Sequence, residues 1–183
     1  MSADDADRAV AATVRWLEAA VIGLNLCPFA KAPHVKRRIR YVVSEAGTEE
    51  ALLETLTLEL DRLAAADPEL IETTLLIHPR VLSDFIDYRF FLPRVDALLR
   101  RAGHEGTLQV ASFHPDYVFA GSDDDDAANN TNRSPYPMLH LLRESSIDRA
   151  VAATPDADAI WSRNVEVLRA LGHEGWRRLI DPV

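Results

Sequence analysis

The order of hydrophobic and polar residues predicts a helix near the start of the chain. From residue 6 to residue 24 the apolar residues recur at steps of three and four, which places them on one face of a helix. They are Val10, Val14, Leu17, Val21 and Leu24. Gly23 and Asn25 end this pattern, and Cys27-Pro28-Phe29 lies in the loop that follows.

Three shorter segments have the pattern of strands. Residues 38–44 carry apolar and β-branched residues in alternation, as in a half-buried strand. Residues 73–77 and 108–113 are compact apolar segments, and each stops at a His-Pro dipeptide. We therefore expect three strands, two of which end in the same way.

Helical patterns separate these strands. Residues 49–66 follow Thr48, whose hydroxyl is a suitable N-cap, and the Asp67-Pro68 pair stops the helix. Residues 83–102 form a second helical pattern, with Pro93 inside it.

The last part of the chain begins with a long polar segment, residues 116–134, of a length that is usually functional or disordered. Ser134-Pro135 then has the composition of a helix start, which predicts a helix over 135–143. Thr154-Pro155 repeats the signal and predicts a helix over 156–171, ended by Gly172.

The order of elements is α-β-α-β-α-β-loop-α-α, and strands that alternate with helices indicate crossover connections. We therefore expect a single domain over 1–183 of the α/β class, with a small, largely parallel sheet and helices on both faces. The alternative is a ferredoxin-like α+β arrangement. A chain of 183 residues is long enough to bury a core without disulfides or a structural metal.

Charge and composition narrow the classes of partner. The net charge is −9, whereas a nucleic-acid binder needs a basic face, and the acidic total also disfavours a membrane surface. The single cysteine excludes an intrachain disulfide, and no signal sequence or long apolar run is present. We expect a cytoplasmic protein whose partner is a small molecule, with an anion as a candidate, rather than a nucleic acid or a membrane; the sequence does not decide its oligomeric state.

The two His-Pro dipeptides are the first candidate site. Ligands of open parallel sheets bind beyond the carboxyl ends of the strands, so His78 and His114 are expected on one edge of the sheet. The alternative is that each histidine is a strand-end residue bonded to the backbone.

The predicted helix 135–143 supplies the second candidate. On a helix, Tyr136, His140, Arg143 and Glu144 share one face at steps of three and four. A solvated face is the usual explanation of a polar stripe, but a tyrosine and a histidine favour a pocket. His140 and Glu144 are spaced to reach one metal ion.

A catalytic metal needs about three protein ligands. The set predicted here is His114, Asp116, His140 and Glu144. The acidic run at 123–126 lacks the alternating ligands of a calcium loop and is more often a solvated loop.

Cys27 follows the first helix, with Lys31, His34 and Lys36 nearby in sequence. Burial in apolar packing is the first interpretation of a lone cysteine. A nucleophilic or redox thiol is the second, and a metal or haem ligand is the third. The chain has no phosphate-binding glycine loop and no Gly-x-Ser-x-Gly elbow, which disfavours the common nucleotide-binding and serine-hydrolase designs.

Several blocks of sequence resemble the signature blocks of the bacterial family catalogued as domain of unknown function 1415. They are WLEAAVIGLNLCPFA at 16–30, TTLLIHPR at 73–80, QVASFHPDY at 109–117, TNRSPYPMLHLLRE at 131–144 and LGHEGW at 171–176. The resemblance spans nearly the whole chain. It implies a bacterial protein of a family whose name records no activity, and it carries over no catalytic residue.

The residues themselves favour a small-molecule enzyme with metal-assisted or redox chemistry on an anionic substrate. The candidate catalytic residues are His114, His140, Tyr136 and Cys27, and the candidate substrate-binding residues are Arg133, Asn132, His78 and Arg143. We expect His114, Tyr136 and His140 to line one pocket, with Cys27 at its edge. His114 or His140 is the expected general base, and Arg133 is the expected clamp for an anionic group. A transition metal and haem are both candidate cofactors. The alternative function is a module that binds a metabolite or a partner protein without catalysing a reaction.

Overall fold

The computed structural model describes residues 2–154 and 159–180 of the chain. Within these residues a four-stranded sheet lies between two layers of helices. The strands are β1 (Ile39–Val43), β2 (Thr73–Ile77), β3 (Leu108–Phe113) and β4 (Met138–Arg143), in the order β1-β2-β4-β3.

The helices follow the predicted pattern closely up to β3. They are α1 (Ala3–Trp16), which continues as a π-helix over Leu17–Ile22, then α2 (Lys31–Val35), α3 (Glu49–Ala65), α4 (Phe85–Arg101), α5 (Glu144–Ala152) and α6 (Ile160–Ile180). The backbone of α6 is kinked and non-helical at Gly172, with a φ of +66°, where the sequence predicts the end of a helix. A 3-10 helix, Ala127–Thr131, interrupts the long polar segment. Thr48 caps α3 as predicted, because its hydroxyl accepts a hydrogen bond from the N–H of Ala51. The predicted start of the last helix, at 155–156, lies outside the described residues.

Strands β1, β2 and β3 run in one direction and end at one edge of the sheet. Only β1 and β2 are parallel neighbours, because β4 inserts between β2 and β3 and is antiparallel to both. The α/β class with helices on both faces is confirmed, whereas the neighbouring strands pair mostly in antiparallel fashion. The ferredoxin-like order β-α-β-β-α-β is not adopted, because α4 separates β2 from β3.

The prediction of a helix over 135–143 is wrong, since residues 138–143 form strand β4 and the next helix begins at Glu144. Methionine and leucine are good helix formers, but pairing with strands on both sides overrides that local preference. Pro135 and Pro137 were the opposing signal, because the residue before a proline is pushed towards extended backbone.

The sheet separates two hydrophobic cores. On one side, called here the α4 face, α3 and α4 pack against Leu76, Leu139 and Leu141. On the other, called the α1 face, α1, the π-helix and α6 pack against Leu75, Ile77 and Met138. Alternate residues of a strand point to opposite faces, so neighbours in sequence at the end of a strand belong to different cores. In the described residues, no helix combines the length and the apolar character needed to cross a membrane.

Candidate functional site

His78 and His114 lie at the same edge of the sheet, as the two His-Pro dipeptides predict. Each follows the last residue of its strand, and Ile77 and Phe113 are both level with Met138 of β4. Both imidazoles are on the α4 face, with their ring centroids 5.7 Å and 5.2 Å from the ring of Tyr88. Both residues are 0% exposed.

The hydrogen bonds of these two histidines are directed to the protein itself. Nδ1 of His78 donates to the carbonyl oxygen of Val81 at 3.0 Å, and Nε2 of His114 donates to that of Leu82 at 3.2 Å. Nδ1 of His114 accepts from the N–H of Asp116 at 3.0 Å. These bonds hold a turn in which Leu82 has a φ of +59°, in the left-handed region that a leucine rarely adopts.

Burial opposes a charge on either ring. It lowers the pKa of His78 to about 4 and also lowers the pKa of His114. With both nitrogens of His114 bonded inside the protein, its position matches the strand-end alternative rather than that of a base open to substrate.

The polar segment after His114 returns to the strand end. The N–H of His114 donates to the carbonyl oxygen of Asn132, and the amide of Asn132 donates to the carbonyl oxygen of Ser112 at 3.0 Å. Arg133 spans this segment, since its Nε donates to the carbonyl oxygen of Tyr117 and its Nη2 to that of Asp124. Arg133 also borders a cavity of about 440 Å³. Asn132 and Arg133 therefore organise the segment, and the clamp role of Arg133 stays a prediction.

The predicted site is divided between the two faces of the sheet. His140 lies on the α1 face, opposite His114, and Tyr136 borders a different cavity with Arg80. The prediction that His114, Tyr136 and His140 share one pocket is wrong, because His114 is on the α4 face, His140 is on the α1 face and Tyr136 borders a separate cavity. The catalytic roles proposed for these residues are not tested by this geometry.

The predicted metal ligands are divided in the same way. His114 and Asp116 lie at the α4 face, His140 faces α1, and Glu144 begins α5 beyond the far end of β4. No group of three or more His, Cys, Asp or Glu residues suited to a metal ion occurs within 2–154 and 159–180.

Arg143 forms hydrogen bonds with the backbone at the end of α3. Its Nη2 donates to the carbonyl oxygens of Leu63, Ala66 and Ile71, the last two at 2.7 Å and 3.2 Å. Two of these carbonyls belong to the carboxyl end of α3, where a cation also complements the helix dipole. The guanidinium therefore caps α3 through Nη2. Arg143 also lines a cavity on the α1 face, and its predicted substrate-binding role stays a prediction.

The main candidate site is a cavity of about 550 Å³ on the α1 face, which we call the α1 cavity. Its floor is formed by β2, β3 and β4, and its walls come from α1, the π-helix, the Cys27 loop and α5. The lining is mostly apolar and aromatic: Trp16, Leu17, Val21, Pro28, Phe29, Ile39, Leu75, Phe113, Leu142 and Ile147 are among its residues. Of the four residues predicted to share one pocket, Cys27 and His140 line this cavity, whereas His114 and Tyr136 do not.

The hydrogen bond of His140 determines its tautomer. The hydroxyl of Thr73 donates to the carbonyl oxygen of Leu141 at 2.6 Å, and its oxygen lies 2.7 Å from Nε2 of His140. A hydroxyl has one proton, and a carbonyl oxygen only accepts, so Thr73 accepts from Nε2–H of His140. Burial in this apolar site lowers the pKa of His140 to about 4, and the ring is neutral at physiological pH.

The Cys27 thiol is partly buried in the wall of the α1 cavity. Burial raises its pKa, against a smaller opposing effect of the backbone N–H groups of Phe29 and Ala30. A neutral thiol is a weak nucleophile, since the thiolate is the reactive form.

Sequence reasoning did not identify Trp16, Thr73 and Phe113 as parts of this site. Trp16 and Phe113 meet edge to face with their ring centroids 5.5 Å apart, and both line the cavity. The period of two along β2 groups Thr73 with Leu75, but only the pairing of β2 with β4 shows that Thr73 meets His140. The π-helix, a rare geometry frequent at functional sites, has no recognisable sequence signal here.

Comparison with known proteins gives one match. The model of a family described as "Protein of unknown function (DUF1415)" matches residues 8–178. Neither the curated proteins nor the solved structures contain a match to this chain.

Proposed function

This chain belongs to the DUF1415 family, and we propose from its own site that it binds a small, largely apolar molecule in the α1 cavity. The observation that carries this proposal is the cavity itself, about 550 Å³ of mostly apolar surface with a histidine at its floor. Small-molecule sites are typically clefts of ~300–1,000 Å³ with apolar walls and a few polar groups.

The histidine at the floor supports the same conclusion. A titratable group whose pKa is displaced by burial, and which lines a cleft, is a candidate functional group. His140 meets both conditions, since burial lowers its pKa to about 4 and its ring lines the cavity. His78 has a similar pKa, but it lines none of the three cavities described above.

Catalysis in the same cavity is the second candidate, favoured by the presence of both Cys27 and His140 in its lining. The enzyme predicted from the sequence would use this pair rather than His114 and Tyr136. Binding is preferred, because burial raises the pKa of the thiol and lowers that of the imidazole, so both groups rest in their neutral forms. Replacing Cys27 by serine separates the two candidates, since binding without chemistry does not require the thiol.

Titration with the neutral lipophilic probe N-phenyl-1-naphthylamine tests the proposal. Three tryptophans give three indole N–H resonances, and we expect the probe to shift that of Trp16 while the exposed Trp161 stays unchanged. Ala111→Leu fills the floor beside His140 and is expected to weaken binding at least tenfold. Ala64→Leu, at an exposed position of α3, is the matched control. Equal binding to both variants, or no shift of Trp16, contradicts the proposal.

The metal or haem hypothesis has its own test. Cys27 and His140 are residue types that ligate transition metals and haem, and both line the α1 cavity. Elemental analysis and an absorption spectrum of untagged protein decide it: a stoichiometric metal or a haem band supports redox chemistry, and neither is needed for binding an apolar molecule.

We also propose that the protein acts in the cytoplasm. The single cysteine is free, as expected for a compartment that keeps thiols reduced. Fractionation of cells that express the chain at its natural level, followed by immunodetection, checks this location.

A further inference from the structure

We infer that the α1 cavity selects a neutral ligand with a hydroxyl or N–H group, and that this group donates a hydrogen bond to Nδ1 of His140. The inference rests on the proposed function and states which class of apolar molecule the cavity takes. It is carried by the contacts of His140 with the sheet and by the distribution of charge around the cavity.

The first step is the state of the imidazole. Nε2 carries the proton of the neutral ring, because Thr73 accepts from it while donating to the carbonyl oxygen of Leu141. Nδ1 is then a bare acceptor. Nδ1 has no hydrogen-bond partner in the described part of the chain, and it remains accessible to solvent.

The second step is the need of that acceptor for a partner. Polar atoms in protein interiors are nearly always hydrogen-bonded, and an acceptor left without a partner weakens the complex that buries it. A ligand that fills the apolar cavity removes water from Nδ1, whose ring lines the same space. A ligand with a donor at this position restores the lost bond, whereas an apolar or acceptor-only ligand does not.

The third step is charge. Cys27 and His140 are the titratable side chains of the apolar interior, and both are neutral. Arg143 contributes to the lining, but its guanidinium is bound to the carbonyl oxygens at the end of α3. Arg149 is exposed, and Glu72 adds a negative charge to the lining. Among the described residues no hydrogen bond or ion pair joins a cation to His140, and an anion at Nδ1 would lose its solvation and face a lone pair.

Three probes with one ring system test this selectivity in the full chain. They are 2-naphthol, which has a donor, 2-methoxynaphthalene, which has only an acceptor, and 2-naphthoate, which is an anion. Their affinities are measured by displacement of N-phenyl-1-naphthylamine. We expect 2-naphthol to bind about fivefold to tenfold more tightly than 2-methoxynaphthalene, the value of one hydrogen bond, and 2-naphthoate to bind least.

Substitutions of His140 and Thr73 test whether Nδ1 of His140 causes the preference for 2-naphthol. His140→Phe keeps an aromatic ring beside Phe113 and is expected to bind 2-naphthol and 2-methoxynaphthalene equally. His140→Asn places an amide oxygen near the position of Nδ1 and should restore part of the preference. Thr73 is a positioning residue, so Thr73→Val should reduce the preference for 2-naphthol over 2-methoxynaphthalene. The readout is the ratio of these two affinities, because N-phenyl-1-naphthylamine has an N–H donor of its own.

The outcomes separate the inference from the proposed function. If N-phenyl-1-naphthylamine binds but the three naphthalenes bind equally, or if His140→Phe keeps the preference, the donor rule is wrong and the apolar cavity stands. Tighter binding of 2-naphthoate than of 2-naphthol also overturns it. If the fluorescent probe does not bind the cavity at all, the proposed function fails and the inference fails with it.

Discussion

Nε2 of His140 lies 2.7 Å from the hydroxyl oxygen of Thr73, across the pairing of β2 with β4. The Thr73 hydroxyl donates its single proton to the carbonyl oxygen of Leu141, so its oxygen must accept from His140. The imidazole proton therefore lies on Nε2. Two residues that are distant in sequence thus determine which nitrogen of the imidazole carries the proton.

His140 is expected to titrate far below an ordinary histidine. Burial lowers its pKa to about 4, since no opposing charge lies near enough to stabilise the imidazolium. Nitrogen-15 NMR of the ring should show a protonated Nε2 and a bare Nδ1 at neutral pH. The ring should become imidazolium near pH 4, at its lowered pKa. Loss of the resonances in His140→Asn assigns them. A midpoint above about 6 would contradict a desolvated ring.

Acid should destabilise the protein through its buried histidines. The pKa values of His78 and His140 are about 4 when folded and about 6.5 when unfolded, so the unfolded chain binds more protons between these values. The contribution of these two histidines to the free energy of unfolding is therefore complete above about pH 6.5. It is lost as the pH falls to about 4, by on the order of 3 kcal/mol per histidine.

Urea denaturation at a series of pH values measures this loss. His78→Asn keeps a donor for the carbonyl oxygen of Val81 but does not titrate, so its unfolding free energy should decline less steeply with acid than that of the parent chain. Parallel declines in the two proteins would show that His78 is not the group responsible.

Gly23 is expected to be required for the π-helix that walls the cavity. A Cβ at this position would lie 2.2 Å from the carbonyl oxygen of Ala19, a backbone atom that cannot move without changing the helix. Gly23→Ala should cost about 1–3 kcal/mol of unfolding free energy and weaken binding of N-phenyl-1-naphthylamine. Gly47→Ala is the control, because nothing lies within 4 Å of its Cβ position. Similar stability of the two variants would contradict this role.

Arg143 should matter for stability and not for ligand preference. Arg143→Met leaves the carbonyl oxygens of Ala66 and Ile71 without their donor, and we expect a loss of about 2–3 kcal/mol in urea denaturation. Arg89→Met, at an exposed position of α4, should change stability little. If Arg143→Met remains folded and abolishes the preference for 2-naphthol, the residue has a ligand-binding role after all.

Cys27 should react slowly with alkylating reagents near neutral pH. Burial raises the pKa of the thiol, so the reactive thiolate is scarce until the solution is more alkaline than an exposed cysteine requires. Mass spectrometry after iodoacetamide treatment gives the rate directly, because the chain has one cysteine. N-phenyl-1-naphthylamine should slow the reaction further by occupying the cavity. Fast alkylation at neutral pH would favour the catalytic candidate, and urea-unfolded protein supplies the reference rate.

Local sequence was sufficient for much of the fold. The spacing of apolar residues in α1, the cap at Thr48 and the compact apolar run of β2 are determined by neighbours within a few positions, and these elements were predicted correctly. The His-Pro dipeptides also indicated correctly that β2 and β3 end at one edge. For β4, the same local reasoning gave a helix, because Met138 and its leucines carry a preference that only strand pairing overrides.

The sequence by itself determined the class of the fold, the limits of most elements and the presence of Cys27 and His140 as candidates. Only the tertiary structure decided which of them meet. His140 and His114 were expected together, but alternation along a strand places side chains on opposite faces, and the face of His140 followed from β4 being a strand at all. Thr73 and His140 meet because β4 lies beside β2, a long-range pairing set by burial of both cores rather than by any local pattern.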